Sequence, residues 1–194
     1  MKIINSMIRY GAIASLALSP AAVLADSPEY TYIEGAYVNV DIDGVDDGDG
    51  FGIGGSAELG ENIFIFADYA IVGFSFGIDF STIEAGIGYK RAISDTTDVN
   101  VSIAYVFAEV DAGVFGSFDD DGIGLDASLR SMVSNEFELN GGITYVDFGG
   151  SGGDDTSFHV GGVYSFNDSF AVTANISVGD DVTTFLIGGR FYVK

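Results

Sequence analysis

The 194-residue chain contains no cysteine, no tryptophan and only two prolines. The lack of cysteine excludes a disulfide scaffold, thiol catalysis and cysteine-ligated zinc. Basic residues are also scarce, because 7 Lys and Arg stand against 29 Asp and Glu and give a formal net charge of −22. Such a chain offers no basic surface to phosphate, which excludes ordinary nucleic-acid binding. No internal run of about 20 apolar residues occurs, so the sequence predicts no transmembrane helix.

The chain is instead rich in apolar residues and glycine. Hydrophobic residues make up 47% of the sequence, there are 28 glycines, and the mean hydropathy is +0.33. An acidic chain of this hydropathy is not a disordered tail, because disorder combines charge with low hydrophobicity. The length allows one domain or two small ones. The apolar and acidic residues must therefore be separated in space.

The N-terminal 25 residues have the three-part pattern of a secretory signal peptide. Lys2 and Arg9 precede a short apolar stretch at Ala12–Leu18, and Val23–Ala25 supplies small or compact residues for cleavage. The alternative, a membrane anchor, would need a longer apolar stretch to cross a bilayer. We therefore predict a signal peptide at residues 1–25 and one exported β-barrel domain at residues 26–194.

The exported part alternates bulky apolar residues with small or polar ones, which is the pattern of half-buried β-strands. Tight connections such as Asn167–Asp168 take turns with connections rich in Asp and Gly, such as Asp111–Asp121. This order predicts an all-β fold, a single up-and-down antiparallel barrel of about ten strands with both termini at the tight-turn end. The predicted strands are 30–42, 50–59, 63–72, 79–91, 98–110, 122–133, 136–147, 156–166, 169–178 and 182–193.

Two kinds of barrel fit this alternation. A secreted, soluble ligand-binding barrel would turn the apolar face inward, whereas an outer-membrane barrel turns it outward to lipid. The other face is dominated by Gly, Ala, Ser, Thr and Asn and carries few of the long charged side chains that a water-facing surface needs. Aromatic residues recur near the strand ends, as expected at two membrane–water interfaces. These features favour the transmembrane barrel.

The same alternation assigns the charged strand residues to the barrel lumen. A Lys or Arg facing lipid near the bilayer midplane would cost about 2–4 kcal/mol. Unpaired charges in a narrow lumen are also costly, so we predict that Arg130 and Arg190 hydrogen-bond to lumen carboxylates. The expected partners are Glu58, Glu84 and Glu138. The full predicted lumen network is Glu58, Asp68, Glu84, Lys90, Asp126, Arg130, Glu138, His159 and Arg190.

The first predicted strand breaks the alternation. Glu34 is polar at an even position, whereas Asn39 and Asp41 are polar at odd positions. A β-bulge adds one unpaired residue and would exchange the two faces. A bulge near Gly35 is therefore one explanation, and a first strand shorter than residues 30–42 is the other.

The chain resembles the small outer-membrane β-barrel proteins of Gram-negative bacteria, the OmpX type and the transmembrane domain of OmpA. The segment Tyr30–Val38 (YTYIEGAYV), followed by DIDG at residues 41–44 and GIGGS at residues 52–56, is more narrowly similar to a family of short-looped outer-membrane proteins once proposed as secreted activators of plant immunity. The resemblance covers the whole exported part, and it implies a location in the cell outer membrane.

The resemblance also implies partners. These are outer-membrane lipid, lipopolysaccharide and the outer-membrane assembly machinery, which reads an aromatic residue at the end of the last strand. Phe185, Ile187, Gly189 and Phe191 share the predicted lipid face. The chain then continues to Lys194, whereas the family usually ends at the aromatic residue.

The Asp-rich segment near the first connection is a candidate metal site. Flexible loops with oxygen ligands can bind calcium, but this segment lacks the full calcium-loop pattern and its closing Glu. We favour a hydrated acidic surface, and we keep open weak binding of Ca²⁺ or Mg²⁺ that could bridge to anionic lipopolysaccharide; no other cofactor is expected. The candidate ligands are Asp41, Asp43, Asp46, Asp47 and Asp49.

His159 is the only histidine, and its predicted position is close to the barrel mouth. Ten-stranded outer-membrane proteases use His and several Asp at that place. Here the Asp-x-His spacing of that family is missing, because residue 157 is Ser, so we predict no enzymatic activity. The main hypothesis is a non-enzymatic outer-membrane barrel for envelope structure or surface interaction. The alternative is a narrow, cation-preferring, porin-like pore, because ten strands lie between filled and open barrels.

Overall fold

The alternating segments form ten antiparallel strands in a computed structural model that describes residues 27–44, 46–149 and 153–194. The predicted signal peptide lies outside these residues and stays a prediction. Within the described residues, no helix is long and apolar enough to cross a membrane. The strands are β1 (Tyr32–Ile42), β2 (Gly48–Glu58), β3 (Ile63–Phe74), β4 (Ile78–Ala92), β5 (Thr97–Asp111), β6 (Ser117–Met132), β7 (Phe137–Asp147), β8 (Asp154–Asn167), β9 (Phe170–Val178) and β10 (Val182–Tyr192).

Each strand pairs with its neighbours in sequence, and β1 pairs with β10 to close the barrel. The predicted fold class is therefore confirmed. The connections β2–β3, β4–β5, β6–β7 and β8–β9 lie at one end, which we call the tight-turn end. The five remaining connections lie at the other end, the loop end. β1 begins and β10 ends at the tight-turn end, as an even strand count requires.

The apolar side chains of the barrel wall face outward. Ile103, Tyr145 and Ile187 are 49%, 37% and 57% exposed, whereas Arg130 and Arg190 are only 6% and 7% exposed. A soluble barrel would show the opposite distribution, because its apolar residues would fill the interior. We call the outward apolar residues of the wall, with Ile103, Tyr145 and Ile187 among them, the apolar band. This band is a surface for lipid.

The predicted bulge near Gly35 is wrong. β1 pairs with both β2 and β10 without a register shift, from Tyr32 to Val40 and from Tyr32 to Ile42 respectively. Glu34 points into the lumen, and the outward position of Asn39 follows from the same uninterrupted alternation. The polarity change along β1 therefore reflects a change of surroundings along the strand. A register shift does occur elsewhere, at Ser165 and Asn167 between β8 and β9.

The connection between β5 and β6 is shorter than predicted, because its acidic residues lie on strands. β6 begins at Ser117, so residues 117–121 of the predicted loop Asp111–Asp121 extend the hairpin with β5. β4, β5 and β6 contain 15, 15 and 16 residues, whereas a strand needs only about 9–11 residues to cross a bilayer. These hairpins consequently extend beyond the membrane at the loop end.

Candidate functional site

The tight-turn half of the lumen is built around Arg130 on β6. Its guanidinium donates from Nε to Glu138 Oε1 at 2.7 Å and from Nη2 to Glu138 Oε2 at 2.8 Å. Both side chains are buried, and two parallel bonds from one guanidinium to one carboxylate give a strong and directional contact. Nη2 also donates to the carbonyl oxygen of Glu29 at 3.0 Å. Arg130 thus joins the barrel wall to the segment that precedes β1.

That N-terminal segment fills the tight-turn end of the lumen. Tyr30 is 2% exposed, and its ring centroid lies 5.0 Å from that of Phe64. The Arg130 guanidinium and the Lys90 ammonium each lie 4.2 Å from the centre of the Tyr30 ring. Cations at this distance are attracted to the aromatic face. Sequence reasoning missed this role of Tyr30, because nothing in the alternation shows that residues before β1 fold inward.

The remaining basic lumen residues also have carboxylate partners. Lys90 pairs with Glu58. Arg190 donates to Glu34 Oε2 at 2.8 Å and lies 3.7 Å from the centre of the Tyr32 ring. Glu34 was not among the expected partners, although its even position on β1 could have identified it as a lumen residue.

Three lumen carboxylates lie apart from these pairs, along a cavity of about 280 Å³. Asp68 on β3 is directly opposite Glu84 on β4, and among the described residues no Lys or Arg forms an ion pair with either. Asp126 accepts hydrogen bonds from Ser128 at 2.7 Å and Thr144 at 3.1 Å. The predicted pairings of Glu58 and Glu84 with an arginine are wrong, because the two arginines bind Glu138 and Glu34, and Glu58 pairs with Lys90.

His159 lies inside the lumen and is 3% exposed. Its Nδ1 is 3.2 Å from the Thr144 hydroxyl, and its Nε2 is 3.7 Å from Asp126 Oδ2. The expected position close to the mouth is therefore wrong. The imidazole is enclosed in the lumen, where its two nitrogens face Thr144 and Asp126.

The loop half of the lumen is apolar. Val106 on β5 is 1% exposed, and Phe80 on β4 is 6% exposed. We call this cluster of inward side chains the apolar plug, because it occupies the lumen between the polar cavity and the loops. The apolar plug consists of Val38, Val40, Ile42, Val72, Phe74, Phe80, Val106, Ala108, Val110, Val146, Phe148 and Val182.

The outer surface around the apolar plug is acidic. Asp79 lies directly opposite Asp111, Glu109 opposite Asp119, and Asp147 opposite Asp154. At this height the strands are polar outside and apolar inside, the reverse of the lipid-facing half. We call these exposed residues the acidic collar, namely Asp41, Asp49, Asp79, Asp111, Asp119, Asp121, Asp147 and Asp154.

The five candidate metal ligands do not converge. Asp41 and Asp49 belong to the acidic collar, and Asp49 accepts hydrogen bonds from the Tyr37 hydroxyl and, at 3.1 Å, from Asn39. Asp43, Asp46 and Asp47 are exposed in the connection between β1 and β2. In the described part of the chain, no three His, Asp or Glu side chains are grouped to hold a metal ion.

The chain matches a known protein family over most of its length. Residues 11–166 match the family described as "Outer membrane protein beta-barrel domain". An outer membrane channel from Pseudomonas putida F1 has a similar structure, with a TM-score of 0.57 and 9% identity over 91% of this chain and 100% of that chain. Neisserial surface protein A gives a TM-score of 0.44 and 15% identity over 84% and 96% of the two chains. No curated protein shows significant sequence similarity.

Proposed function

Since this chain belongs to the outer membrane protein β-barrel domain family, we propose that it is a closed, non-conducting barrel that serves envelope structure or surface interaction. Its location is the cell outer membrane. We propose that it has no enzymatic activity, since its single histidine is buried in the lumen. The loops are short, so the acidic collar and the loop tips are the parts of the molecule that meet the outside.

The proposal depends on the apolar plug, which fills the loop half of the lumen. Ions and sugars cross membranes through hydrated paths, and a layer of packed Val and Phe side chains excludes water from the lumen. The tight-turn end is also narrowed, because the Tyr30 ring packs at a tilt against Phe64 and lies against two cations. The cavity of about 280 Å³ extends from Tyr30 at the tight-turn end to Val40 and Phe80 of the apolar plug.

A planar-bilayer recording of the refolded protein tests the proposal. We expect no conductance steps from the unmodified protein. Replacing two aromatic rings of the apolar plug, Phe80→Ala with Phe148→Ala, should open the lumen and produce steps. The variant Phe51→Ala, which removes an exposed ring from the lipid face, is the matched control and should stay silent. Steady steps from the unmodified protein would overturn the proposal.

A narrow cation-preferring pore is the second candidate. The unpaired carboxylates of Asp68 and Glu84 on the cavity wall favour it, because carboxylates lining a narrow path attract cations and repel anions. In that case the unmodified protein should give cation-selective steps. Asp68→Asn with Glu84→Gln should then lower the selectivity for cations.

We also propose that outer-membrane lipid contacts the apolar band and that lipopolysaccharide head groups face the acidic collar. Both the acidic collar and lipopolysaccharide are anionic, so direct contact needs cations between them. The outer-membrane assembly machinery remains the expected route of insertion. Copurified lipopolysaccharide that is released by a chelator would support cation bridging, and release that is insensitive to the chelator would contradict it.

A further inference from the structure

Two neighbouring loops expose apolar side chains at the loop end. Phe76 in the β3–β4 loop is 98% exposed, and Val114 and Phe115 in the β5–β6 loop are 95% and 82% exposed. A Cβ atom built on Gly113 would lie 3.7 Å from the Gly77 carbonyl oxygen, so the two loops approach each other closely. We call Phe76, Val114 and Phe115 the loop patch. Grouped exposed apolar residues of this kind mark interaction surfaces.

The backbone at Phe76 supports a role outside folding. Its φ angle is 66°, in the left-handed region that bulky residues rarely adopt. Such a conformation is energetically costly and persists mainly at functional positions. Since the ring of Phe76 is almost completely exposed, its burial within the chain does not offset that cost.

The loop patch does not face the protein's own membrane. Asp79 and Asp111 lie at the bases of the two loops, directly opposite each other on β4 and β5, and both are exposed. Carboxylates in the hydrocarbon layer would be strongly unfavourable, so the bilayer ends below these residues. The loop patch therefore stands in the external medium, beyond the acidic collar.

The charge around the loop patch is of one sign. Neither residues 71–89 nor residues 92–129 include a Lys or Arg. Asp79, Asp111 and Asp119 are exposed beside the patch. An apolar partner that carries carboxylates would be repelled, as would anionic lipid, whereas an apolar face bordered by Lys or Arg would be attracted.

We infer that the loop patch is a docking surface for a cationic, amphipathic polypeptide segment, with Phe76, Val114 and Phe115 in contact with its apolar face and Asp79, Asp111 and Asp119 beside its basic residues. This inference rests on the proposed surface role and names its partner class. It does not depend on whether the lumen conducts, so the bilayer recording and the binding experiment can fail separately.

The test measures binding of a short amphipathic helical peptide made of Leu and Lys to the refolded protein in nanodiscs of zwitterionic lipid. Empty nanodiscs supply the background. We expect saturable binding that weakens as salt rises, since the charges are exposed. A peptide in which each Lys is replaced by Glu should not bind.

Substitutions in the loop patch test whether the peptide binds there. Phe76→Asn with Val114→Ser and Phe115→Ser should weaken binding by about tenfold or more, because apolar anchors dominate docking energies. Asn suits the left-handed backbone at Phe76, and the single variant Val114→Ser gives a milder test if the triple variant folds poorly. Phe166→Ser, which removes an exposed ring at the tight-turn end, should leave binding unchanged.

Several results would overturn the inference. If the Leu–Glu peptide bound equally well, the acidic residues would not select the partner's charge. If the triple variant bound the Leu–Lys peptide as well as the unmodified protein, the loop patch would not be the binding site. Binding of the unmodified protein to bare lipid vesicles that the triple variant loses would identify lipid as the occupant. Self-association lost in the same variant would identify a second copy of this chain.

Discussion

The tight-turn half and the loop half of this barrel use the same strands with opposite polarity. In β5, Asn100 and Ser102 point inward and Val101 and Ile103 outward, whereas farther along the strand Val110 points inward and Glu109 outward. The first half is a membrane barrel with a polar lumen. The second half has the layout of a soluble barrel, with an apolar interior and a charged exterior. The outer face of one strand therefore meets lipid in one half and water in the other. The alternation of inward and outward residues continues without interruption through the boundary.

The two halves are also closed by different interactions. The tight-turn half is held by ion pairs and cation–ring contacts around Tyr30, Arg130 and Arg190. The loop half is held by the packed Val and Phe side chains of the apolar plug. Ion pairs are favoured in the first half because its outer surface is apolar, so charges can only lie inside. The variants below test this difference, in order of decreasing expected effect.

The largest effect is expected at the buried pair. Arg130→Leu leaves Glu138 without its guanidinium partner, and breaking a buried pair typically lowers the free energy of unfolding by about 3–5 kcal/mol. Urea unfolding of the refolded barrel measures the loss. The double variant Arg130→Leu with Glu138→Leu should recover most of it, because no buried charge is left alone. Equal stability of Arg130→Leu and the unmodified protein would show that the pair contributes nothing.

A smaller loss is expected in the apolar plug. Phe80→Ala removes a buried ring at 6% exposure and should lower the free energy of unfolding by about 3 kcal/mol, through lost burial and the cavity left behind. Phe51→Ala on the lipid face is the matched control, and it should cost much less because lipid fills the vacated space. Similar losses for both variants would contradict the closed packing of the loop half.

Lysine substitutions at two heights locate the bilayer boundary. Ile103→Lys, in the apolar band, should lower the free energy of unfolding in lipid by about 2 kcal/mol or more. Asp119→Lys, on the outer face of the neighbouring strand β6 and in the acidic collar, should have nearly no effect or should stabilise. If both variants lowered the free energy of unfolding by the same amount, the loop half would have to lie in the membrane.

The smallest effect is expected from opposed carboxylates in the acidic collar. Asp79→Asn removes one charge from the pair with Asp111 and should raise the free energy of unfolding by less than about 1 kcal/mol at low salt. High salt should abolish the gain, because exposed charges are screened. Asp168→Asn, which removes a partner 3.3 Å from Lys194, is the control and should have the opposite sign.

Alternation predicts the inward or outward direction of a strand residue, but it does not report the surroundings on each side. Asn39 and Asp41 seemed to require a bulge only under the assumption that the outer face meets lipid along the whole strand. The same signal recurs in β7, where Val146 points inward beside the outward Asp147. Because this signal occurs in several strands, it indicates that the inner and outer surfaces exchange polarity at one height of the barrel.

Sequence reasoning included Glu138 among the expected partners of the arginines, but the other charge partners and the loop contacts were beyond it. Glu34 and Arg190 are 156 positions apart and meet because β1 closes the barrel against β10. Tyr30 reaches Arg130 only because the N-terminal segment turns into the lumen. Gly77 and Gly113 approach each other because β4 and β5 are neighbours of nearly equal length at the loop end. Each of these contacts depends on closure and strand register, which local residue patterns do not encode.

The amino-acid order alone determined the antiparallel meander of about ten strands and, apart from β1, the face on which each strand residue lies, because turns and a period of two are local properties of the backbone. Only the closed barrel decided which carboxylate meets which arginine, and at what height the outside changes from lipid to water. Those outcomes depend on distances between strands and on the thickness of the surrounding bilayer.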